Sequence, residues 1–215
     1  MAYGGFRQIF GPWFRAKQGQ VIGIENLPDK PPFIVALNHE GFLDPLIFLP
    51  VLYDKYKRQT FFLTSHNMWK LWGEYLAKHW LGMIPLHDED RNKVGAAVDE
   101  AIKYLKNGEI FGIFPEGSRN PDKENLMKGK TGTVRIAIGS KMQVIPIGLI
   151  NNTGFRIGAA FKSLFKKDMK IDINIGEPID FSEYYGRELT KELLEEATRK
   201  LMTHIGELCN KKYNF

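Results

Sequence analysis

Short apolar runs alternate with helical patterns along this chain, and that alternation restricts it to folds in which helices pack on a sheet. The runs Gln20–Glu25, Phe33–Leu37, Thr60–Thr64, Gly82–Leu86, Ile110–Phe114, Val144–Ile150 and Lys170–Ile175 predict strands. Between them, Val94, Ala97, Val98, Ala101, Ile102 and Leu105 share one helical face, and Asn107-Gly108 supplies a stop. Leu193, Leu194, Ala197, Leu201, Ile205 and Leu208 mark a long closing helix. The expected architecture is one α/β domain, a mostly parallel or mixed sheet flanked by helices. No internal repeat, low-complexity tract or linker interrupts it.

A chain of 215 residues can bury one sizeable core and is short for two. With 43% hydrophobic and 26% charged residues, disorder is excluded as the general state. The formal charge of +5 favours an anionic partner, and on charge alone nucleic acid, anionic lipid and phosphorylated substrates all remain open. A lone cysteine, Cys209, excludes an internal disulfide and fits a reducing compartment; on the closing helix it reads as packing rather than chemistry. The N-terminus lacks the apolar core of a signal peptide. The most apolar stretch, Phe33–Tyr53, is broken by Asn38, His39, Glu40, Asp44, Pro45 and Pro50, whereas a span needs about 20 apolar residues.

Any membrane role is therefore expected at the surface, as a peripheral protein on the cytoplasmic face. Phe6, Ile9, Phe10, Trp13 and Phe14 form an amphipathic stripe whose only nearby charges, Arg7, Arg15 and Lys17, are basic. Residues 1–19 are read as a membrane-surface segment and 20–215 as the catalytic domain, with Gly11-Pro12 expected to break or kink the first helix. Trp69, Trp72 and Trp80 suit either a lipid interface or a core. The basic residues of Phe155–Lys170 suit either a lipid surface or a solvated loop.

Three clusters could carry chemistry. Asn38-His39-Glu40-Gly41-Phe42-Leu43-Asp44-Pro45 directly follows a strand, a common place for catalytic residues. His39 can take a proton if a carboxylate holds its other ring nitrogen, and Asp44 is within reach if the chain turns between them. Asp44 before Pro45 equally fits the cap of a helix over Pro45–Leu52; the two roles are compatible. Phe114-Pro115-Glu116-Gly117-Ser118-Arg119-Asn120 follows another strand and reads either as a turn or as a phosphate site, Arg119 offering a planar fork of donors. Ser118 lacks the flanking glycines of a nucleophile elbow. Lys128-Gly129-Lys130-Thr131-Gly132-Thr133 precedes a helical pattern and could bind an anion, yet Glu124 stands where a P-loop needs its first glycine. His39, Glu40 and Asp44 lack a second ligand pair at metal spacing, so no metal is expected.

Taken together, these clusters resemble one family. N-H-x4-D, F-P-E-G-[ST]-R, a K-x-G element and V-I-P-I-G occur here as His39/Asp44, Phe114–Arg119, Lys128–Gly132 and Val144–Gly148. Their order is similar to that of the 1-acylglycerol-3-phosphate acyltransferases of the glycerolipid acyltransferase superfamily, from about Val21 to Gly176. The resemblance implies catalysis by His39 and Asp44, with Asn38, Glu116, Gly117, Ser118, Arg119, Lys130, Thr131 and Gly132 binding substrate. It implies acyl-CoA or acyl carrier protein as donor, a lysophospholipid acceptor and no cofactor. Two positions depart from the pattern. Gly41 stands where the family often has Ser, and Gly82–Leu86 is followed by His87-Asp88 instead of the usual Asp-Arg, with Arg91 the nearest arginine. Other acceptors, or a non-catalytic lipid binder of the same fold, are the competing readings. A nucleic-acid binder is less well supported, since no nucleic-acid motif is present.

Overall fold

The strand β2 (Phe33–Leu37) is buried at every residue. Successive side chains point to opposite faces of a sheet, so Ile34 and Ala36 enter one hydrophobic cluster while Phe33, Val35 and Leu37 enter another. An unbroken apolar run is what a strand covered on both faces requires. A computed structural model describes the chain except residues 1, 66–67, 71–72, 87–90, 152, 154–156 and 164, and omits the side chains of 2–4, 6, 7, 9, 91–94, 157, 160 and 161.

Around β2 stand β1 (Gln18–Ile22), β3 (Thr60–Ser65), β4 (Met83–Leu86), β5 (Ile110–Ile113), β6 (Val144–Asn151) and β7 (Ile171–Ile175). The sheet order is β1-β7-β6-β2-β5-β3-β4. Five strands, β6 to β4 in that order, are parallel; β7 runs antiparallel to β6, and β1 is parallel to β7. One face is covered by α4 (Arg91–Lys106), α5 (Gly132–Ser140) and α7 (Lys191–Cys209), which contribute Ala101, Leu105, Ile136, Leu201 and Ile205. The other is covered by α2 (Asp44–Tyr56) through Ile47, Phe48 and Leu52, and by Phe14 of α1 (Ala2–Arg15). Short helices α3 (Glu74–His79) and α6 (Ile157–Ser163) lie in connections. The expected α/β layering and mixed sheet are present.

Two local expectations need correction. Gly11-Pro12 does not break the first helix, which runs unbroken from Ala2 to Arg15. A proline ring disfavours helix through the Cβ of the residue before it, and Gly11 has none. Buried Phe14 and an Arg15–Asp54 ion pair also bind α1 to α2. The first strand lies earlier than expected, at Gln18–Ile22 rather than Gln20–Glu25, so the expected 19/20 division falls inside β1. Gly23, at φ 80°, ends it; a Cβ there would lie 2.0 Å from the Ile175 carbonyl oxygen. Among the described residues no helix is long and apolar enough to cross a membrane.

Candidate active site

The carboxyl ends of three adjacent parallel strands, β6, β2 and β5, open on the same edge of the sheet. Ligands of open α/β sheets bind at such an edge. The chain leaves β2 into Asn38-His39, leaves β5 into Phe114–Arg119, and ends β6 at Asn151. Clusters separated in sequence therefore meet.

Asn38 makes the first fastening. Its amide donates to the Leu149 carbonyl at 2.9 Å and its oxygen accepts from the Leu149 N–H at 2.7 Å, extending the β2–β6 ladder through a side chain. Both ends of this buried amide are thus committed to the protein. His39 follows, with Nδ1 2.8 Å from Asp44 Oδ2. Its ring stacks on Phe114, the centroids 4.1 Å apart.

Asp44 is fully buried. Besides the imidazole, Oδ2 accepts the backbone N–H of Glu40 at 2.7 Å and of Gly41 at 2.8 Å, and Oδ1 accepts the side-chain amide of Asn151. Leu43 occupies the N-cap position of α2 and no side chain caps it. The cap reading of Asp44 is therefore corrected. Its carboxylate reaches back to the preceding loop, because Pro45 and the turn at Gly41–Asp44 start the helix without it. Asn151 is held in turn by Thr153, whose N–H and hydroxyl both donate to Asn151 Oδ1, leaving the amide NH₂ for Asp44.

Glu116 joins the β5 loop to the β2 loop. Oε1 accepts the His39 N–H at 3.0 Å, while Oε2 accepts the Met127 N–H and the Asn120 amide, each at 2.9 Å. The Asn120 N–H donates to the His39 carbonyl at 2.7 Å. Burial pushes the Glu116 carboxyl above its ordinary range, against the pull of those donors and of Lys211. With both oxygens occupied inside the protein, Glu116 fixes the backbone on either side of His39.

The remaining residues lie between β5 and the start of α5. Gly117 turns at φ 72°, and a Cβ there would lie 2.6 Å from Lys130 Cε, so the lysine stem packs across it. The Lys130 N–H donates to the Pro115 carbonyl at 2.8 Å. Ser118 is exposed, with Oγ 3.8 Å from Met127 Sδ, and Arg119 is partly exposed beside it. Thr131 accepts from Arg135 at 3.3 Å, and Gly132 opens α5. His87-Asp88 and the Arg91 side chain lie outside the described residues.

Asn151 and Thr153 were not singled out in the sequence, and Asn120, inside the second cluster, was given no role there. The signal for Asn151 was the one that singled out His39: a polar residue directly at the end of a buried apolar strand. The arrangement can hold one imidazole nitrogen on a buried carboxylate and present the other for proton transfer.

Residues 18–150 match the family model described as Acyltransferase. Over 197 residues the chain is 32% identical to a 1-acyl-sn-glycerol-3-phosphate acyltransferase of Bacillus subtilis, covering 89% of this chain and 88% of that protein. A protein of the same name from Borreliella burgdorferi is 27% identical over 194 residues, covering 89% and 74%. Among solved structures, the 1-acyl-sn-glycerophosphate (LPA) acyltransferase PlsC of Thermotoga maritima superposes with a TM-score of 0.64 at 22% identity, covering 99% of this chain and 80% of that one. It is a likeness of fold.

Proposed function

This chain belongs to the acyltransferase family, and from that premise we propose that it moves a fatty acyl group from acyl-CoA or acyl carrier protein to the free hydroxyl of 1-acylglycerol-3-phosphate, giving phosphatidic acid. His39 Nε2 takes the hydroxyl proton as the oxygen attacks the thioester carbonyl. The tetrahedral intermediate then collapses, the C–S bond breaks, and the proton passes from His39 to the departing thiolate. Asp44 keeps the imidazole oriented and stabilises its protonated form. The observation that carries this reading is the 2.8 Å contact between His39 Nδ1 and the fully buried Asp44, which leaves Nε2 as the reacting nitrogen.

Arg119 is assigned the acceptor phosphate, with Lys130 beside it, and the work takes place on a membrane surface. Phe10, Trp13 and Phe165 are exposed, and Lys162, Lys166, Lys167 and Lys170 surround the last of these in sequence. A thiol-release assay against a panel of lysolipids, with acyl-CoA and acyl carrier protein in turn, tests the assignment. Lysophosphatidate is expected as the best acceptor. Arg119→Ala should cost roughly 10- to 150-fold in kcat/KM with it, the worth of one charge-assisted hydrogen bond. The loss should shrink for an acceptor without phosphate, and Arg119→Lys should recover only part. A rise confined to the donor's KM would give Arg119 to the donor instead.

A further inference from the structure

We infer that Lys211, in the tail after α7, is a positioning residue that holds the His39 loop in its working shape through Glu40; the inference rests on the catalytic reading of His39 above. Glu40 lies between His39 and Gly41, is 5% exposed, and lends its backbone N–H to Asp44. Its carboxylate takes Lys211 Nζ on Oε1 at 3.2 Å and Lys123 Nζ on Oε2 at 2.7 Å. The two lysines differ in kind. The Lys123 side chain is 65% exposed and can exchange Glu40 for water, whereas that of Lys211 is 3% exposed and cannot.

The tail is built to deliver this charge. Asn210, at φ 58°, ends α7 in the left-handed region, and the Lys211 N–H turns back to the Gly206 carbonyl at 2.9 Å. Lys212 then pairs in both directions with the segment leading to Met127, donating to the Glu124 carbonyl at 2.8 Å and accepting from the Leu126 N–H at 2.9 Å. Lys211 Nζ also donates to the Asp122 carbonyl. The same ammonium acts on Glu116, so one buried cation serves the carboxylates that fasten both loops.

Without Lys211 the buried Glu40 carboxylate keeps only the exposed Lys123, a partner that exchanges with water, and its charge is under-compensated. Glu40 would then turn outward with Lys123, displacing the 39–41 backbone and its two N–H bonds to Asp44. Misplacement of this kind, remote from the reacting atoms, can cost about 100-fold in rate.

The test compares Lys211→Met, Lys211→Arg and the double variant Lys211→Met/Glu40→Gln in the full chain. Two readouts are used: thiol-release kinetics, and the long-range 15N–1H spectrum of the His39 ring, assigned by its loss in His39→Ala. Lys211→Met should lower kcat by about 10- to 100-fold with little change in the acceptor KM. It should also shift the ring from a single Nδ1–H form to a mixture. Lys211→Arg should retain the wild-type spectrum, and the double variant, free of the under-compensated buried charge, should recover much of both signals. If Lys211→Met does not fold, the double variant decides alone: a lasting wild-type spectrum and kcat support action through Glu40, and their loss in a folded protein overturns it. A folded Lys211→Met protein with wild-type kcat and spectrum also overturns the inference. Because the spectrum needs no substrate, a wild-type protein inactive on every lysolipid, yet showing the ring change on substitution, would remove the acyl-transfer reading and leave the positioning role standing.

Discussion

At Asp44 one carboxylate accepts from four donors: the Glu40 and Gly41 amides, the His39 ring and the Asn151 side chain. That count decides what Asp44→Asn will do. An asparagine has one acceptor oxygen, so its NH₂ must face either Asn151 or the three donors on the loop side, whichever way it turns. Leaving buried donors unsatisfied costs about 1–3 kcal/mol apiece, so the urea midpoint should fall along with the rate, and turnover should drop by about 10²-fold or more. Full activity with an unchanged midpoint would return Asp44 to a passive place in the helix. His39 and Asp44 were legible because their spacing after a strand is a local pattern. The acceptance of Asn151 was not, since a contact across 107 residues of sequence is set by the order of strands, which no local pattern encodes.

Among the elements, strands β2, β5 and β6 could be read closely because each is apolar along its length and bounded by polar or turn residues. Their adjacency could not be read, and neither could the reversal of β7. The first helix shows how packing overrides a local signal: Phe14 turns into the core, while Trp13 stays 40% exposed. Trp13 lies edge-on to Phe165, their centroids 6.1 Å apart, and Phe165 is 80% exposed, so two distant segments share one aromatic patch. Lys17 secures the pair of segments by donating to the Ser163 carbonyl at 2.9 Å. Replacing both Trp13 and Phe165 by alanine should weaken sedimentation with anionic vesicles about tenfold or more, given roughly 1.5–3 kcal/mol for each ring moved fully out of water. Turnover on a soluble short-chain acceptor should hold. Equal loss of both would mean that the patch supports the fold and not lipid contact. Deleting residues 1–17 is a poorer test, because it strips Phe14 from the core.

For the whole molecule, one sheet edge gathers the ends of β6, β2 and β5, and the tail after α7 closes behind them. The alternation of elements made the α/β class legible, but the tail's part was not, since nothing local marks Lys211. The surroundings of three weakly acidic groups, Cys209, Tyr184 and the half-buried Tyr56, give the fold an alkaline limit. Burial pushes Cys209 from 9.0 to about 12, and pushes Tyr56 and Tyr184 from 10.0 to about 12. A raised folded value favours the native state fully below the unfolded value and loses that favour as pH rises through the folded one. The urea midpoint should therefore fall steadily from about pH 9 towards pH 12; a level midpoint across that window would contradict it. The proposed acyl transfer turns on His39 as the base, and His39→Ala tests that role most directly. Thiol release from the acyl donor, measured with lysophosphatidate as acceptor in a variant whose urea midpoint shows it folded, should fall by about 10²–10⁴-fold; near-normal turnover would contradict the mechanism.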